Sequence, residues 1–197
     1  MTQHMEWQHN QLSNSEIIEK ALEDTGREGI SKVIAGMRRL KFYDAPGSYK
    51  HHSSYRGGLA EHSLKVYRYA MKLKKEHPKQ FGAVPDDSIA IAGLLHDICK
   101  ADVYYMKPDG TPGKSLSRFP FGHGEKSVIM LLRLGLEMTE NEMLAIRWHM
   151  GPCTFKENSV DKENYDAARK SSARSLIDLI RKADGIAAHE KNESSSK

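Results

Sequence analysis

Apolar positions recur at spacings of three and four through most of the chain, and this period predicts helices nearly everywhere. SNSEIIEKALEDTG opens on a capping box, Ser13 to Glu16, and stops at Gly26; ISKVIAGMRRL then makes a second short amphipathic segment. In LAEHSLKVYRYAMKLKKEH, Leu59, His62, Val66, Tyr69 and Leu73 share one face while Lys65, Arg68, Lys72 and Lys75 take the other. A histidine therefore lies on a buried stripe. DDSIAIAGLLHDICK follows Pro85 and is apolar nearly all round, with Ala90, Ala92 and Gly93 among its small residues. It is expected to be the central helix, with His96 and Asp97 near its C-terminal end.

A further helix is expected from His123, carrying Ser127, Met130, Leu131 and Leu134 on one face. TENEMLAIRWHMGP has a Thr139-to-Glu142 capping box and stops at Gly151-Pro152, so His149 stands at its end. The last helix is predicted as one run over roughly 163–189, with Ile177, Ile180, Asp184 and Ala187 on one face. Between helices, FYDAPGSYKHHSSYRGG reads as a loop, and DVYYMKPDGTPGKSLSRFPF alternates around a Pro-Asp-Gly turn like a small hairpin. KNESSSK reads as a disordered tail. The expected architecture is an all-α bundle with a small β-hairpin: N-terminal helices in 1–44, the main domain over 45–190, and a tail at 191–197.

Composition narrows the class. With 197 residues, 39% hydrophobic and 28% charged, one globular domain with a real core is expected. No apolar stretch approaches the roughly 20 residues that span a bilayer, and MTQHMEWQHNQ lacks a basic region and an apolar signal segment. The expected location is the cytoplasm, with no membrane partner. Cys99 and Cys153 form no CxxC pair, which argues against a disulfide scaffold or a thiolate zinc site. Each is read as an inert thiol. The formal charge of +4, with scattered Lys and Arg, permits anionic ligands without demanding nucleic acid. DGTPGKS resembles a phosphate-binding loop, but Pro108 stands where that motif needs glycine, so a Gly/Pro turn is the better reading.

The polar residues in apolar places form a set: His62, His96, Asp97, His123, His149 and Asp184 each fall on an apolar face or at a helix end. Any one of them alone is more often a hydrogen-bonded core residue than a ligand. Together they are harder to place, because each unpaired buried polar group costs roughly 1–3 kcal/mol. A shared metal centre satisfies all of them, since imidazole and carboxylate hold Mn, Fe, Ni, Co or Zn, and helical bundles build such sites from facing helices. The donors exceed what one tetrahedral ion needs, and the two Asp97 oxygens could bridge two ions.

This ordered H…HD…H…H…D series, carried by GGLAEHSLKVY, LLHDICK, FGHGEKSV, IRWHMG and LIRKADGIAA, resembles the HD-domain metal-dependent phosphohydrolases over about residues 45–190. The resemblance implies that His62, His96, Asp97 and Asp184 hold a first metal, and that Asp97 bridges to a second held by His123 and His149. It implies the dinuclear subtype, with Mn, Fe, Ni or Co favoured over Zn or Mg. DAPGSYKHHSSYRGGLAEH is also similar to the HD region of the 3′→5′ exoribonucleases of Gram-positive bacteria, though no room for their OB-type nucleic-acid module is expected in these 197 residues.

The expected activity is metal-dependent hydrolysis of a phosphomonoester or phosphodiester in a nucleotide-like small molecule. Paired cations about 3.5–4 Å apart activate water and stabilise the attacking and leaving oxygens. Asp97 and Lys100 are the catalytic candidates: Lys100 lies one turn from His96 and Asp97, where it either neutralises a phosphate oxygen or serves only as a helix-end charge. His52, Arg56, Lys107 and Arg118 are candidates for substrate contact, and Tyr104 or Tyr105 for stacking on a base. Competing expectations are a di-iron oxygenase with the same ligand series, exonuclease-like action on short nucleic acid, and a catalytically silent nucleotide sensor. Substrate identity and oligomeric state are not legible.

Overall fold

The computed structural model describes residues 12–50, 53–116, 119–154 and 159–190. The expected tail at 191–197, and His52 and Arg118, lie outside the described residues.

The chain folds into an all-α bundle with one two-stranded hairpin. Its elements are α1 (Asn14–Glu23), α2 (Ile30–Arg39), α3 (Gly58–Glu76), α4 (Pro78–Phe81), α5 (Asp86–Leu95), β1 (Tyr104–Met106), β2 (Pro112–Lys114), α6 (His123–Arg133), α7 (Glu140–Trp148), α8 (Val160–Ala168) and α9 (Arg174–His189). Short 3-10 segments at Ile98–Asp102 and Gly151–Thr154 follow α5 and α7. Both expected capping boxes form: the Ser13 hydroxyl accepts from Glu16 N–H, and Thr139 does the same for Glu142.

Helix α5 is the strut. Every residue from Ser88 to Leu95 is buried, so it has no solvent face, and it packs between α3 and α7 with α1 and α9 also against it. Burying one Ile or Leu side chain contributes roughly 1.5–3 kcal/mol, and α5 alone buries Ile89, Ile91, Leu94 and Leu95. Gly93 makes the tight approach to α3 workable: a Cβ there would stand 3.2 Å from the Tyr67 Cα. Ile18, Leu22, Val33 and Met37 of the N-terminal pair enter the same buried cluster. Among the described residues, no helix is long and apolar enough to cross a membrane.

The hairpin pairs antiparallel, with Tyr105 opposite Gly113. The single C-terminal helix expected over 163–189 is two helices instead, α8 and α9, separated at residues 169–173. Ser171 causes the break: its hydroxyl donates to the Ala168 carbonyl at 2.7 Å and accepts from Ala173 N–H at 3.1 Å, competing with the helical ladder. The restart leaves Asp184 on α9, which runs along α3.

Candidate metal centre

Helices α5 and α7 end in the same way. His96 caps α5 and its Nδ1 donates to the Gly93 carbonyl at 3.0 Å; His149 caps α7 and its Nδ1 donates to the Ile146 carbonyl at 2.7 Å. In both, the bond three residues back consumes the ring proton and leaves Nε2 with a lone pair. Two helix C-termini thus meet at one place, and the negative ends of their dipoles favour a cation there.

Asp97 sits between the imidazoles and divides them. Its Oδ2 lies 3.2 Å from His96 Nε2 and 3.9 Å from His62 Nε2. Its Oδ1 lies 3.7 Å from His149 Nε2 and 4.0 Å from His123 Nε2. Asp184 joins the first group, with Oδ1 at 3.0 Å from His62 Nε2 and 3.9 Å from His96 Nε2. Donors sharing one ion with bonds of about 2.1 Å stand roughly 3.0–3.4 Å apart, so both groups need only slight contraction. His62, His96 and Asp184 lie together closely enough to hold an ion, and His96, Asp97 and His149 form an overlapping group that meets the same condition.

The donor atoms themselves test the fit. His96 Nε2, Asp97 Oδ1, His123 Nε2 and His149 Nε2 are buried without a hydrogen-bond partner among the described residues. Leaving such atoms unsatisfied costs about 1–3 kcal/mol each. At His96 the conflict is sharper, because two acceptors face each other across 3.2 Å and need a proton or a cation between them. The residues present fit a divalent metal ion.

Electrostatics follow from this crowding. Burial would raise the Asp97 carboxyl, but the Lys100 ammonium and the neighbouring imidazoles hold it well below the usual carboxylate range. For Asp184, burial is likewise outweighed by the His62 hydrogen bond and the charge of His96, and the pKa falls to about 2. Burial pushes His149 down to about 4 and lowers His123. Burial also opposes charging of His96, yet the Asp97 and Asp184 carboxylates prevail and raise it. Both acids are thus ionised and two imidazoles are kept neutral, the protonation states that ligands require.

Lys100 does not reach away from the cluster. Its Nζ stands 2.6 Å from Asp97 Oδ2, and its side chain is largely buried. Burial disfavours its charge, but Asp97 more than compensates and raises its pKa. Arg56 is placed elsewhere, in an exposed ion pair with Asp44 at 2.8 Å. Lys107 belongs to the hairpin turn, where its backbone bonds Thr111 and Gly110.

Supporting contacts are less visible in the sequence. Cys99, read there as an inert thiol, donates its Sγ–H to the His123 carbonyl at 3.2 Å, and its N–H to Ser127 Oγ at 3.4 Å. Gly124 lets α6 lie on α7, since a Cβ there would meet the Arg147 carbonyl oxygen at 2.3 Å. Cys99 beside the HD pair and Gly124 beside His123 are the only signals, and neither has a spacing that announces its contact.

With this geometry the chain belongs to the HD-domain family, whose family model matches residues 59–188. It is 41% identical over 69 residues to the dihydroneopterin 2′,3′-cyclic phosphate phosphodiesterase of Methanocaldococcus jannaschii, a match covering 34% of this chain and 28% of that protein. The chain therefore spans under a third of the length of the curated relative it matches. No solved structure gives a significant match.

Proposed function

We propose that this chain is a metal-dependent phosphohydrolase that holds two divalent transition ions and cleaves a phosphate ester of a nucleotide-like small molecule. The observation that carries the reading is the division of Asp97: one oxygen faces His62 and His96, the other His123 and His149. His62, His96, Asp97 and Asp184 would hold the first ion, and Asp97, His123 and His149 the second. Membership of the HD family and the cyclic phosphodiesterase activity in the relative's name support the same chemistry.

When bound, such a pair of ions, of Mn, Fe, Ni or Co, supplies an activated water and Lewis acidity toward the phosphoryl group. The chain's own residues orient and shield. Lys100 keeps Asp97 ionised and sets a positive charge at the edge of the cluster, where the substrate's phosphate oxygens gain charge. The Gly93 and Ile146 carbonyls hold His96 and His149 in the tautomer with Nε2 turned inward.

The test is a hydrolysis screen of mononucleotides, 2′,3′-cyclic and 3′,5′-cyclic nucleotides, cyclic dinucleotides and generic phosphoesters, with each of several metals, alongside elemental analysis. The expected result is about two ions per chain and release of a phosphate product, with Asp97→Ala losing metal and activity together. Full activity in Asp97→Ala overturns the site assignment. Oxygen consumption by the iron-loaded protein with no phosphoester cleaved overturns the hydrolase reading in favour of a di-iron oxygenase.

A further inference from the structure

A recess of about 320 Å3 lies between the turn after α2 and the hairpin, with Lys41, Asp44, Arg56, Ala101 and all three β1 residues, Tyr104, Tyr105 and Met106, on its walls. Its size is at the low end of ligand pockets, about 300–1,000 Å3, and suits one ring system. Ala101, on its wall, directly follows in the chain Lys100, whose ammonium contacts Asp97.

The walls have complementary chemistry. Tyr104 and Met106 are half-buried and alternate with the more exposed Tyr105, so they turn to the same side of β1 and offer a flat ring beside a polarisable thioether. The hairpin holds this wall firmly, for the Tyr105 ring lies across Gly113 on the paired strand, where a Cβ would stand 2.6 Å from it. On the other wall, Lys41 and Asp44 are brought side by side by a turn in which Asp44 N–H and Ala45 N–H both donate to the Lys41 carbonyl at 3.0 Å. Arg56 bonds Asp44 Oδ1 at 2.8 Å, which leaves Oδ2 open to a donor. The Lys41 ammonium has no ion-pair partner among the described residues, and its backbone is held in the left-handed region at φ 56°. A carboxylate that accepts next to an ammonium that donates matches a ring edge carrying N–H groups next to a carbonyl oxygen.

We propose that this recess binds the planar heterocycle of the substrate, a guanine-like ring with an N–H edge beside a carbonyl, stacked on Tyr104 and read by Asp44 and Lys41. The assignment rests on the phosphohydrolase reading for what becomes of the ligand, but the binding itself does not need hydrolysis. Free guanosine, adenosine and ribose 5-phosphate are therefore the probes, titrated calorimetrically into the chelator-treated protein and into Tyr104→Ala and Asp44→Asn, with melting curves checking that both variants fold.

Guanosine is expected to bind saturably, and adenosine, which lacks the carbonyl, at least about fivefold more weakly. Since stacking of a base is worth about 1–3 kcal/mol, Tyr104→Ala should weaken guanosine at least fivefold. In turnover, the same variant should raise KM for guanosine phosphates and leave ribose 5-phosphate kinetics unchanged. No saturable guanosine binding, equal binding of adenosine, or an unaltered affinity in folded Tyr104→Ala overturns the inference. Guanosine binding with no phosphoester hydrolysed would sustain the recess and remove the proposed chemistry. Equal turnover of guanosine phosphates and ribose 5-phosphate would do the reverse.

Discussion

The Cys99 thiol donates to the His123 backbone carbonyl at 3.2 Å, fastening the segment that follows Asp97 to the first residue of α6. One sulfur thereby ties His123, a candidate ligand of the proposed second ion, to the segment that carries Asp97, the proposed bridge. Cys99→Ala should lower occupancy of the second ion several-fold with the first retained, as read by metal titration; Cys99→Ser, which keeps a donor, should recover most of it. Burial pushes the thiol up to about 12, so iodoacetamide at pH 8 should leave Cys99 unmodified by peptide mass spectrometry until the protein is unfolded.

The metal-free protein should lose stability as pH falls from about 6.5 toward 4. Burial holds His149 near 4 in the folded state, so in this window the unfolded chain binds a proton that the folded chain refuses. Each tenfold loss of proton affinity on folding is worth about 1.4 kcal/mol, which makes the contribution roughly 3 kcal/mol. His123, also lowered, acts in the same direction, whereas His96, raised, acts against it. Urea denaturation across this range should show a distinctly shallower pH dependence in His149→Phe, and an unchanged slope would refute the assignment.

Gly124 and Gly185 should respond oppositely to alanine. The Gly124 Cβ would press on a backbone oxygen that cannot swing aside, costing about 1–3 kcal/mol and displacing His123. Gly185 sits within α9 with nothing near its would-be Cβ, so Gly185→Ala should stabilise by about 0.5–1 kcal/mol. Chemical denaturation of the two variants settles both signs.

Far from the histidines, Arg27 holds the fully buried Glu142 through two bonds of 2.8 and 2.9 Å, and Asp87 through one of 2.7 Å. Ser88 adds a hydroxyl to the same Glu142 at 2.7 Å. Arg27→Met strands a buried carboxylate and should cost about 3–5 kcal/mol, measured by equilibrium unfolding. Arg27→Lys, unable to make the paired bonds, should fall between.

What the chain discloses before it folds depends on the range of each interaction. His62 is legible because it keeps step with Leu59 and Val66 on a stripe of helical period, and His149 because Gly151-Pro152 ends its helix. The hairpin shows itself through its own turn. The Arg27–Glu142 pair spans 115 residues, and no local period reports it. The division of α8 from α9 stays hidden because a serine that diverts the backbone looks, in one sequence, like a serine on a wet helix face. Lys100 is ambiguous for a related reason: spacing places it one turn from Asp97, but only the packed site shows the ammonium turned inward onto Oδ2.

The paired helix ends at His96 and His149 carry a further consequence. Each ring takes its orientation from a carbonyl three residues earlier in its own chain, and not from a distant partner. The aim of both lone pairs is therefore written into two short peptides and is present before any ion arrives. An ion entering the cluster meets His149 already neutral with Nε2 bare, whereas at His96 it takes the place of the proton that the Asp97 and Asp184 carboxylates favour.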